Sequence, residues 1–99
     1  MHLIQIFLPL VGNKRDSSKR FAEVRDQLTT RFGGATLYRN APAEGLWEDE
    51  GAVEKDVIII AEVMAVELDQ NWWADYRKEL EHRFKQDEIV VRAVSMTRL

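Results

Sequence analysis

Apolar positions along the chain follow two periods, and the change between them marks out the elements. The segment 56–68 (DVIIIAEVMAVEL) is apolar on both alternating faces. Val57, Ile59, Ala61, Val63 and Ala65 make one face; Ile58, Ile60, Met64 and Val66 make the other, interrupted by Glu62. A β-branched segment with two apolar faces predicts a strand in the middle of a sheet. Residues 2–11 predict a second such strand, with Ile4, Ile6, Leu8 and Leu10 on one side and Leu3, Gln5, Phe7 and Val11 on the other. Pro9 has no N–H to give, so pairing is expected to loosen near it.

Two segments repeat near 3.6 residues instead. Phe21, Val24, Leu28 and Phe32 form a helical stripe after a start at Asp16, Ser17 or Ser18, and Gly33-Gly34 ends it with a left-handed cap. Trp73, Tyr76, Leu80 and Phe84 repeat the same spacing, each 52 positions after its counterpart, in a helix predicted from a cap at Asp69 to about Gln86. Between the helices, 35–39 is a short, polar edge strand. Residues 40–45 break it, Leu46-Trp47 resumes pairing, and 48–51 is a hairpin tip. A last strand is expected over 88–96.

The order β-α-β-β-α-β with two matching helices predicts one α+β domain over residues 1–99. Its fold is ferredoxin-like, with antiparallel sheet order 4-1-3-2 and both helices on one face. That topology puts strands one and three in the centre, where the most apolar segments lie. The far face of the sheet then has no cover, yet it carries Leu3, Phe7 and half of strand three. Exposed apolar patches of several hundred Å² mark interfaces. The expected partner is therefore a second copy, giving a homodimer through the open sheet face.

Gln5, Glu62 and Arg92 interrupt this face, each near the middle of its strand. Strand order aligns them as Arg92, Gln5, Glu62. One reading is the polar floor of a cavity, binding a small molecule or poising Glu62 as a base. The other is a salt-bridged strip within an interface. Tyr38 and Trp47 are candidates to wall a pocket at the second hairpin, with Tyr38 the second catalytic candidate. Trp72, off the helical stripe, is a candidate to close a cleft or meet a partner; core packing is the plainer role for all three aromatics.

Composition removes several classes. The formal charge of −3 comes from interspersed charges and gives no footprint for nucleic acid or an anionic membrane. With no cysteine there is no disulfide, thiolate chemistry or cysteine-ligated metal, which fits a cytoplasmic protein. His2 and His82 have no second ligand at metal spacing, and neither a metal nor a cofactor is expected. The apolar start lacks a positive n-region and a small-residue cleavage site, and no segment is long enough to span a bilayer.

The motifs Gly34-Ala35-Thr36 and Gly45-Leu46-Trp47, with Trp72-Trp73, Tyr76, Leu80, Phe84 and 86–89 (QDEI), resemble those of small uncharacterised bacterial proteins. In these a helix ending in an aromatic-Gly pattern leads to a Gly-x-Thr strand and a Gly-x-Trp turn. The resemblance runs from Phe21 to Ile89; it implies the fold and no activity. The architecture is also similar to that of dimeric α+β barrel proteins, which include cofactor-free monooxygenases, haem-degrading enzymes and stress-responsive barrels. The His-Asn-Trp set of the haem degraders is not evident. The leading expectation is a small apolar ligand bound between sheet and helices; as an alternative, that similarity implies a cofactor-free monooxygenase or isomerase using Glu62 and Tyr38. A third reading is a subunit docking another protein on its sheet face.

Overall fold

The computed structural model describes residues 1–10, 14–38, 43–49 and 51–99, without the side chains of 14, 43–45, 47–49 and 52–56. The elements run β1 (His2–Pro9), α1 (Lys14–Phe32), β2 (Thr36–Leu37), β3 (Ala43–Asp49), β4 (Ala52–Ala65), α2 (Gln70–Arg83) and β5 (Val91–Ser95). The sheet order is β2-β4-β1-β5, with β3 also on β4. The predicted second strand is thus two pieces along one outer position. The fold is the expected ferredoxin-like βαββαβ arrangement, every pairing antiparallel.

Alternation sorts β1 and β4 into two faces. Ile4, Ile6, Leu8, Ile59, Ala61 and Val63 are buried against Phe21, Val24 and Leu28 of α1 and Trp73, Tyr76 and Leu80 of α2. Phe84 and Ile89 complete this core, and the Phe21 and Phe84 rings stack at 6.0 Å. Ser17 extends the α1 stripe one turn towards the N-terminus and is itself buried. Between the helices Gln27 Oε1 accepts from the Tyr76 hydroxyl and from Arg83 Nη1, both at 2.9 Å. Among the described residues no helix is long and apolar enough to cross a membrane.

The element ends differ from expectation for local reasons. β4 stops at Ala65, not Leu68, because its partner β1 begins opposite, at His2. α1 starts at Lys14, which puts Asp16 and Ser17 in its first turn and Ser18 just beyond it; its cap lies outside the described residues. The C-terminal end is as anticipated, with Gly33 at φ +83° and its N–H donating to Thr29 O at 2.8 Å. Asp69 caps α2 as predicted, its Oδ1 accepting from Trp72 N at 3.0 Å.

α2 ends at Arg83 rather than near Gln86, without a glycine. Lys85 takes φ +54°, its N–H donates to His82 O, and Gln86 N–H donates to Glu81 O. This is the paired bonding of a Schellman motif, here with lysine in the left-handed position.

β5 starts at Val91, three residues later than 88. Ile89 N–H donates to the Glu81 carboxylate at 2.9 Å instead of to a neighbouring strand. Pro9 is the complementary feature on β1. Phe7 N–H bonds Val90 O on one side and Leu10 N–H bonds Val57 O on the other. The N–H that Pro9 lacks would therefore point to the side from which β5 is already gone, so proline ends the ladder there without orphaning a group.

Candidate functional site

Antiparallel register places directly opposed residues on the same face, so the uncovered side can be read row by row. Leu3 lies between Val94 and Met64. Gln5 lies between Arg92 and Glu62, and Glu62 is opposite Thr36 on its other side. Phe7 is opposite Ile60, with Val90 bonded to its backbone. The face is as apolar as the sequence implied and is open. Met64, Val90 and Val94 are 45%, 44% and 48% exposed.

Across it the predicted polar row forms one hydrogen-bonded chain. Arg92 Nε donates to Gln5 Oε1 at 2.7 Å, and Gln5 Nε2 donates to Glu62 Oε2 at 2.6 Å. The Tyr38 hydroxyl donates to the other oxygen, Glu62 Oε1, at 2.6 Å. Gln5 is oriented by its neighbours: its carbonyl oxygen meets the cation and its amide nitrogen meets the carboxylate. The hydrogen bond to Glu62, and after it the nearby carboxylate charge, raise the Tyr38 pKa, so this hydroxyl keeps its proton and remains a donor. Arg92 also lies over the Phe7 ring, 4.7 Å from its centroid.

Four of the sequence candidates, Gln5, Tyr38, Glu62 and Arg92, are therefore brought together. Trp72 is not. It lies in the helix layer, beyond the sheet, stacked on Tyr76 at 4.8 Å and edge-on to Phe32 at 5.4 Å, with Arg31 over its ring at 4.2 Å. The ladder puts Trp47 opposite Glu54 in the β3–β4 ribbon, and its side chain lies outside the described residues.

A cavity of about 660 Å³ opens where the β2 edge of this face meets the end of α1. Glu62, Thr36, Leu3, Met64 and Arg98 line it, with the Gly33-Gly34 turn. Arg98 did not stand out in the sequence, Thr36 did so only within the Gly34-Ala35-Thr36 motif, and Phe7 only as an apolar residue of the open face. The signal for Phe7 was its place beside Arg92 on the open face; Arg98 had none, since it follows the last strand. Among the described residues, no group of three or more His, Cys, Asp or Glu is placed to hold a metal ion.

Fold and row together define a ferredoxin-like α+β chain with an open apolar sheet face and a carboxylate-centred polar chain across it. No protein-family model matches the chain, and no curated protein matches it. Solved structures do. The chain is similar to the divalent ion tolerance protein CutA1 from Ehrlichia chaffeensis, with TM-score 0.62 and 8% identity, over 99% of this chain and 82% of that one. It is similar to the periplasmic divalent cation tolerance protein CutA from Archaeoglobus fulgidus, with TM-score 0.60 and 15% identity, over 99% and 86%. A phage SAM lyase in complex with S-methyl-5'-thioadenosine gives TM-score 0.60 and 18% identity, over 94% and 79%. At such identities the likeness is one of fold.

Proposed function

We propose that this is a cytoplasmic, homodimeric protein that joins through its open sheet faces and holds a small, largely apolar molecule against Glu62. The observation that carries the reading is the exposed apolar face crossed by a single hydrogen-bonded chain, Arg92–Gln5–Glu62–Tyr38. An apolar sheet face left in water is costly, and a second copy of the same face is its simplest cover. We put the ligand in the cavity of about 660 Å³ beside Glu62, at the end of the hydrogen-bonded row, in preference to a smaller cavity of about 370 Å³ between the sheet and α2 lined by Ile4, Leu68, Trp73 and Val91. Kinship with the small uncharacterised bacterial proteins belongs to the same proposal, supported by Gly34–Thr36, Gly45–Trp47 and the Trp72–Ile89 segment. Cation tolerance, as in the names of two fold neighbours, has no support among the described acidic and histidine side chains.

A second reading rests on the 2.6 Å contact between Tyr38 and Glu62. In it Glu62 accepts a proton from a bound substrate while the Tyr38 hydroxyl, held in its protonated form, stabilises the charge that develops. Native mass spectrometry of untagged protein tests both. The expected result is a dimer with extra mass that Glu62→Gln loses while keeping its fold. A dimer without bound mass removes the ligand, and a trimer removes the two-copy stoichiometry. A monomer that is rescued only by a co-expressed protein assigns the face to a different partner.

A further inference from the structure

We infer that the two copies meet about a two-fold axis lying along β1, so that each Arg92 faces the partner's Glu62. This rests on the self-association proposed above and adds the orientation and the ion pair that fixes it. Two sheets packed face to face are related by an axis lying between them, in the plane of the interface. An axis along β1 exchanges the two sides of that strand. Across the row the order is Arg92 on β5, Gln5 on β1 and Glu62 on β4. The exchange therefore sets cation over anion twice.

An axis running across the strands along the row sets Arg92 over the partner's Arg92 and Glu62 over the partner's Glu62. Like charges would then be enclosed within an apolar interface, where desolvation and repulsion both oppose assembly. The charge order selects the first arrangement.

The side chains are prepared for it. Gln5 occupies Arg92 Nε, and the Phe7 ring supports the guanidinium, while its two terminal nitrogens have no partner among the described residues. Each Glu62 oxygen accepts one internal hydrogen bond and keeps capacity for another. Arginine and carboxylate together can bridge sheets stacked about 10 Å apart. The same axis brings Leu3 and Phe7 close to their own copies, Val94 opposite the partner's Met64, and Val90 opposite the partner's Ile60. Every one of these contacts is apolar on apolar.

The chain has no cysteine, so single introduced thiols report the geometry without background. Val94→Cys, Met64→Cys and Leu3→Cys are made separately and treated with a short bis-maleimide. The first two sites are exposed, which leaves the core intact. Leu3→Cys should cross-link to itself. Val94→Cys and Met64→Cys should each fail alone and form a cross-linked dimer only when mixed and allowed to exchange. Dimers in which Val94→Cys or Met64→Cys joins to itself, or in which Leu3→Cys does not, would overturn the orientation and leave self-association standing. Protein that runs as a monomer in every variant before cross-linking overturns self-association, and the orientation with it.

Discussion

Glu62 is held from both sides, by an amide nitrogen and a phenol, in a row whose far end is a guanidinium stacked on Phe7. Gln5, Glu62 and Arg92 were legible in the sequence because each breaks an otherwise apolar alternation, and strand order alone then aligns them. Tyr38 was legible as a residue but not as the partner of Glu62. That contact depends on β2, a two-residue strand whose register no periodicity can set. Trp72 takes the plainer of its two roles. Its place off the α2 stripe left a cleft or partner contact open, but the neighbouring Phe32 and Tyr76 rings gather it into the helix layer.

On that side the Tyr76 hydroxyl is buried beside Gln27, and burial raises its pKa to about 12. The unfolded chain ionises this group near the ordinary tyrosine value of about 10. Its contribution is thus complete below pH ~10 and is lost as pH rises from there through about 12. Tyr76→Phe should remove this part of the alkaline loss in urea unfolding measured against pH. At neutral pH it should cost about 1 kcal/mol for the hydrogen bond to Gln27. An alkaline limb identical to that of the wild type would show that Tyr76 does not titrate as described.

The elements follow their patterns in kind and depart from them at their ends, because ends are set by partners. β4 stops where β1 offers nothing to pair with, and β5 begins only after Glu81 has taken the Ile89 amide. Neither limit is written in local sequence. The end of α2 was hidden for another reason: a Schellman motif usually announces itself with glycine, and here the position is Lys85 at φ +54°. A lysine in that conformation carries roughly 1 kcal/mol of strain that glycine avoids. Lys85→Gly should therefore stabilise the fold by about 0.5–1 kcal/mol in urea denaturation, against the usual cost of adding glycine. A destabilised variant would contradict the described cap. At the other end of α2, Asp69→Ala should cost about 1 kcal/mol by removing the acceptor for Trp72 N–H. Unchanged stability would show that water replaces the cap at no cost.

At the scale of the whole molecule, the sheet order, the two central strands and the single helix layer were all legible, since two-faced apolar strands and paired helical stripes permit few arrangements. The same reasoning exposed the uncovered face, because a strand apolar on both sides cannot be satisfied by helices on one. What covers that face is not written in one chain's periodicity; a second copy is the cover we propose, and the order of charges across the face sets how it would sit. Val94 sits on the open face, 48% exposed and outside the core cluster, so lysine there should break assembly and leave the fold intact. The decisive measurement is sedimentation equilibrium of the wild type beside Val94→Lys, with circular dichroism on both. A wild-type dimer and a folded Val94→Lys monomer are the predicted pair. A wild-type chain that sediments as a monomer at every concentration would contradict the account.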